Sequence, residues 1–213
     1  MSDWKKIQIE EAKTWLIEDP IKRQEKLQRE IARYPRMAKQ MWLNIIDTSN
    51  MFIFDIGGGP VGLSSILPHA RRVVIDPLKI EYAKFFNTHY HFGAKAENLK
   101  QLLSDPDLVI VTNALDHFDE PEIFLDDLVE YLKPGAYFAH FHAINNAITH
   151  KHKAHEYNFT PEILHNFIDK DFETVWELNY PDVRYGWKNY NGKVGQPAFC
   201  GLYRKVTGYE GGE

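Results

Sequence analysis

At 213 residues with a formal net charge of −5, the chain is long enough to bury one core, and its acidic balance argues against a nucleic-acid partner held by general electrostatics. One cysteine, Cys200, excludes an internal disulfide and a cluster of thiolate ligands. The charged opening MSDWKKIQIEEAKTW holds no apolar stretch of signal-peptide length and no later run matches a bilayer span, so the expectation is a cytoplasmic protein without a membrane partner.

Residues 1–48 read as an N-terminal helical extension and a candidate lid. Trp4, Ile7, Trp15, Leu16, Leu27, Ile31 and Met41 recur near helical spacing, and Pro20 and Pro35 should divide the extension into two or three helices. From residue 49 to 207 the pattern changes to alternating strand and helix, as in a mostly parallel sheet covered on both faces. Strands are expected near 51–56, 71–76, 91–94, 107–113, 135–142, 172–180 and 197–205. Helices are expected near 62–68, 78–88, 97–103, 121–132 and Pro161 to Ile168, with 208–213 as a frayed tail.

The densest signal is FDIGGGPVG, Phe54 to Gly62, where an apolar strand runs into a glycine turn of GxGxxG spacing and a helix should follow. Gly57 suits the tight turn, Gly59 removes a Cβ that would block a ligand, and Gly62 lets the helix pack on the sheet. Asp76 closes the next apolar run, where its carboxylate can accept both hydroxyl protons of a ribose. Together they point to a nucleoside-containing ligand.

DIGGGPVG from Asp55, VVIDPL from Val73, AKAENL from Ala94, DLVIVTNALDHFDEP from Asp107 and LKPGAYF from Leu132 follow in order, and with them the chain resembles the class I S-adenosylmethionine-dependent methyltransferases over residues 50–142. The resemblance implies an α/β, Rossmann-like fold with a mostly parallel seven-stranded sheet, and S-adenosyl-L-methionine as cofactor. It implies that the glycine turn faces the methionine part of the cofactor, that Asp76 holds the ribose, and that Asp55 orients the turn or the cofactor's amino group. Ala96 and Glu97 would border the adenine, and Asn113 and Leu115 would lie along the cofactor. The full implied binding set is Asp55, Gly57, Gly58, Gly59, Gly62, Asp76, Pro77, Ala96, Glu97, Asn113 and Leu115. Two positions depart from the family pattern: Lys95 stands where many relatives carry an acid toward the adenine amine, and Pro60 removes a polar contact from the turn.

Methyl transfer needs donor and acceptor in line, water excluded, and a base where the acceptor carries a proton. His117, after the fourth strand, and His142, on the fifth, are the candidate catalytic bases, with packing as their plainer role. Asp119, two residues before Pro121, reads as a helix N-cap. His140, His142, His150, His152 and His155 form a dense histidine segment, but no carboxylate or thiolate completes a metal set, so no metal is expected. Arg184, Tyr185, Trp187, Lys188 and Tyr190 suit either stacking on a ring or packing on the sheet, and Tyr34 and Arg36 stand close enough to the first strand to reach a cofactor carboxylate. The leading function is methyl transfer to oxygen or nitrogen of a small molecule or glycan. The alternatives are an RNA or DNA methyltransferase, a catalytically silent cofactor binder, and an NAD-dependent dehydrogenase, which would ordinarily need a second nucleotide-binding half.

Overall fold

The structure is a computed structural model that describes residues 3–41, 44–67, 71–86, 91–101, 105–143, 160–180 and 198–206. Two helices open it, α1 (Asp3–Trp15) and α2 (Pro20–Met41). The strands follow as β1 (Phe52–Ile56), β2 (Arg71–Ile75), β3 (His91–Phe92), β4 (Leu108–Thr112), β5 (Tyr137–Ala143), β6 (Phe172–Tyr180) and β7 (Ala198–Lys205). Between them lie α3 (Lys79–Tyr82), α4 (Pro121–Tyr131), α5 (Pro161–Ile168) and 3₁₀ segments at Leu63–Ile66, Ala96–Gln101 and Leu115–His117.

The seven strands form one sheet in the order β3-β2-β1-β4-β5-β7-β6. The first five pair in parallel, whereas β7 runs antiparallel to both β5 and β6. Alternate residues feed opposite faces, as the pleat requires. Phe54, Ile56, Val109, Val111 and Phe138 join a core with Phe124 and Leu128 of α4 and Leu164 and Ile168 of α5. Ile53, Leu108, Ile110 and Ala139 pack on the other side with Leu63 and Leu67. The chain thus has the mostly parallel, seven-stranded α/β architecture expected from its sequence. No helix among the described residues is long and apolar enough to cross a membrane.

The helices between the early strands fall short of their expected length. The expected helix 62–68 is a single 3₁₀ turn, because Leu67 precedes a proline and takes an extended conformation with ψ 116. Among the described residues the expected helix 78–88 is α-helical over Lys79–Tyr82, a single turn whose Leu78 and Tyr82 are buried against Ala12 of α1 with Phe86 packed partly buried beside them. The expected helix 97–103 is 3₁₀ over Ala96–Gln101, with Asn98 off helical geometry.

Pro20 starts α2 as expected, with the Asp19 carboxylate accepting the Ile21 N–H at 2.9 Å. Pro35 does not break it. An interior proline costs roughly 3 kcal/mol, and α2 offsets this by packing along the first 3₁₀ segment and β7.

On the far side, His165 clasps α5 to β6. Its Nε2 lies 2.8 Å from Glu177 and its Nδ1 2.6 Å from Asp169. Partial burial works against the charge, yet Asp169 and Glu177 together hold the imidazole above its ordinary value of 6.5. The fold therefore favours the protonated ring, so this contribution is complete below 6.5 and fades as pH rises through the raised value. His165→Gln should cost more thermal stability at about pH 6 than at about pH 9; equal losses in melts at both would refute the clasp.

Candidate active site

β1 and β4 are neighbours whose chains leave toward opposite faces, and an open α/β sheet binds ligands at such a switch point, beyond the carboxyl ends of its strands. A cavity of about 260 Å³ sits there. The glycine turn forms one wall, fixed by a 2.8 Å bond from Gly57 N–H to the Ile75 carbonyl. Gly59 has φ +63, and a Cβ added to it would meet nothing within 4 Å, so this residue opens the turn toward the cavity. At Gly62 a Cβ would fall 2.6 Å from Asp55 Oδ2. Room for that carboxylate, not the packing of a long helix, is what this glycine provides.

Asp55 is fully buried beneath the turn, where its Oδ2 accepts the Ser64 N–H at 2.7 Å. Burial pushes its carboxyl up to about 6, against the Ser64 bonds and the charge of Arg72. Asp76, at the end of β2, is 5% exposed and faces the cavity. Its Oδ2 accepts the Gly59 N–H at 2.9 Å and its Oδ1 the Leu78 N–H at 2.8 Å, which ties the glycine turn to the next loop.

Opposite stands the end of β4. Asn113 has φ 51 and is the one non-glycine residue with positive φ among the described residues, a conformation asparagine accepts more readily than most. Its N–H bonds the Phe141 carbonyl at 2.7 Å. Glu97 reaches across to accept the N–H groups of Asp119 at 2.8 Å and Glu120 at 3.0 Å, capping α4 from a different element. The expected N-cap Asp119 instead holds Lys95 at 2.8 Å, and Glu120 occupies the cap position without a side-chain bond.

Of the residues expected from sequence, Gly57, Gly58, Gly59, Asp76, Pro77, Ala96, Glu97, Asn113 and His117 line the cavity. Asp55 and Gly62 support the turn from behind, and Leu115 belongs to the core around Phe124. His142 is 2% exposed on β5 and does not reach the cavity. His117 lies at its wall with Asp116 Oδ1 3.7 Å from its Nε2; the same oxygen is 3.9 Å from Nδ1 of His142. His140 is buried against Tyr203, and burial, with His142 and His165 nearby, pushes it down to about 3, so it stays neutral.

Sequence reasoning marked the N-terminal extension as a candidate lid without naming the side chains that face the site. Gln8 and Trp15 of α1 line the cavity, and Gln8 Nε2 approaches the His117 carbonyl at 3.5 Å. Lys26 of α2 sits 4.1 Å over the Trp15 ring and bonds the Thr14 carbonyl, which fixes this end of α1. Tyr82, Thr112 and Phe118 also line the cavity. Of these, only Thr112, at the mouth of an apolar strand, carried a local signal. Among the described residues, no group of three or more His, Cys, Asp or Glu side chains is placed to hold a metal. His150, His152, His155, Arg184, Tyr185, Trp187, Lys188 and Tyr190 lie outside the described residues, as do the side chains of Tyr34 and Arg36.

No protein-family model matches the chain, and no curated protein sequence matches it at a significant level. Solved structures do match. N-methyltransferase NodS from Bradyrhizobium japonicum, in complex with S-adenosylhomocysteine, aligns with TM-score 0.60 and 13% identity over 84% of this chain and 88% of its own. The [4+2]-cyclase SpnF aligns with TM-score 0.60 and 11% identity over 83% and 82%. The 1,6-didemethyltoxoflavin-N1-methyltransferase of Burkholderia thailandensis, with S-adenosylhomocysteine and 1,6-didemethyltoxoflavin bound, aligns with TM-score 0.51 and 16% identity over 74% and 72%. Sheet order, glycine turn and these likenesses agree: the chain has the Rossmann-like fold of the class I S-adenosylmethionine-dependent methyltransferases.

Proposed function

We propose that the protein is an S-adenosylmethionine-dependent methyltransferase acting on oxygen or nitrogen of a small molecule or glycan. The observation that carries this reading is a cavity furnished for a nucleoside: the open Gly59 position on one side, the Asp76 carboxylate at the end of β2, and Thr112 Oγ1, which finds no hydrogen-bond partner among the described residues. Asp76 would take the ribose hydroxyls, since an ionised carboxylate retains acceptor sites beyond the two backbone bonds it already makes. Pro77, Leu78 and Ala96 supply an apolar face for the base, and Gly57 to Gly59 the backbone against the charged end. The cofactor supplies a sulfonium-bound methyl group open to in-line displacement.

The protein's part is to orient, to exclude water, and to take a proton. Gln8 and Trp15 line the site, which supports a lid role for the N-terminal extension. His117 stands at the wall as the base for an acceptor O–H or N–H. NodS and the toxoflavin enzyme, both methyltransferases by description, support this chemistry. The net charge of −5 supports a small acceptor over a polyanion.

SpnF, a cyclase on the same fold, supports a second reading in which the cofactor is held without methyl transfer. One experiment separates them. Purified protein should bind S-adenosylhomocysteine in calorimetry and pass label from a methyl-labelled donor to a compound in a metabolite extract. Binding without labelled product favours the second reading, and absence of binding removes both.

A further inference from the structure

The carboxyl of Asp55 lies directly beneath the floor of the cavity. A Cβ on Gly58, which lines the cavity, would fall 3.1 Å from its Oδ1, and one on Gly62 would fall 2.6 Å from its Oδ2. A single layer of backbone therefore separates this group from whatever rests on the glycine turn. Asp55 is fully buried, and its Oδ1 finds no hydrogen-bond partner among the described residues. Ser64 and the cross-strand partners Val74 and Ile110 are uncharged. The charged neighbours on β2 and at its end are engaged: Arg72 Nη1 donates to the Ser64 carbonyl at 2.9 Å, and Asp76 accepts from Gly59 and Leu78. In so dry a setting the field of a carboxylate reaches farther than it does in water.

We infer that Asp55 makes the site sensitive to ligand charge: when ionised, it favours a cation on the glycine turn over the uncharged thioether of the same shape. The inference rests on the methyltransferase reading, which sets the charged end of the cofactor against Gly57 to Gly59. On transfer the methyl group bonds to the acceptor, the electrons of its bond to sulfur return to sulfur, and the positive charge there is gone. Asp55 thus holds the donor more firmly than the product, acting through the turn and not by contact. Its carboxyl stands at about 6 without a ligand. A cation above the turn favours the ionised form and lowers that value, so binding releases a proton and tightens as pH rises through it.

The test compares S-adenosylmethionine with S-adenosylhomocysteine by calorimetry at about pH 5 and about pH 7, in wild type and in Asp55→Asn. The variant keeps an oxygen for the Ser64 N–H. A lowering by one pH unit moves the wild-type affinity ratio toward S-adenosylmethionine by about fivefold at the higher pH, whereas in Asp55→Asn the ratio should stay within about twofold. Asp76, Lys95, Glu97 and His117 also line the cavity, and because both proteins carry them their titration cancels in the comparison. A merely structural role would weaken both compounds alike and leave the ratio unmoved. A wild-type ratio that is flat with pH, or one that moves equally in the variant, overturns the inference and leaves the cofactor reading standing. Should the variant not fold, wild type decides through its proton count in buffers of different ionisation enthalpy at about pH 6. S-adenosylmethionine must release more protons than S-adenosylhomocysteine, and equal release overturns the inference. Binding of neither compound removes the cofactor reading and this inference with it.

Discussion

Asp76→Ala is expected to weaken S-adenosylhomocysteine binding more than tenfold and to lower the thermal midpoint as well. The binding loss follows from the proposed ribose role, because hydrogen bonds to an ionised group contribute about 1.5–3 kcal/mol each and tenfold is about 1.4 kcal/mol. The stability loss follows from geometry: the substitution strips the acceptor from both Gly59 and Leu78 N–H groups at a position 5% exposed. Asp76→Asn keeps one acceptor oxygen and should fall between. Titration calorimetry beside thermal melts distinguishes the two effects. A variant that melts lower yet binds as wild type would leave Asp76 as a tie for the loop and remove it from the ligand.

The second large effect is expected at Asp55. With its carboxyl at about 6 when folded and 3.8 when unfolded, the native state holds the proton more tightly between those values. Wild type should therefore lose stability as pH climbs through that window, by about 3 kcal/mol in all, with no further change from this group above it. Asp55→Asn keeps an oxygen for the Ser64 N–H and cannot ionise, so its urea-unfolding curve should lack this decline. The difference between variant and wild type is the quantity to read, because other carboxylates titrate in both. Parallel stability profiles across the window would show that water or a cation already compensates the buried charge.

The strands were legible because parallel strands buried on both faces appear as near-continuous apolar runs. LVIVT of β4, its first four residues buried, is the plainest case. The intervening helices were legible only as spacers: propensity does not report that a single turn has two buried side chains to support it, as at Leu78 and Tyr82. In the site, contacts made by neighbours in sequence came through, and contacts made across the fold did not. The glycine turn and Asp76 belong to the first kind. Gln8, 109 residues from the carbonyl it approaches, belongs to the second, and the spacing of Trp15 is the same whether the ring packs on a domain or roofs a cavity. Glu97 shows the same limit, since no local pattern marks it as the cap of a helix that starts at Pro121. His142 was legible as a strand residue, and its depth was set by β7, paired beside it through Phe199.

The outermost strands bear on how molecules of this protein meet. Among the described residues, β3 offers two residues of main chain, and β6 shifts register between Thr174 and Trp176 while carrying Glu173 and Glu177. A strand from another copy would find too short a template at one margin and a bulged, acidic one at the other, so recruitment by backbone pairing is discouraged at both. Among the described residues, self-association is thereby steered to side-chain surfaces, where Ile21 at 71% and Ile80 at 74% exposure are the apolar groups most in contact with water.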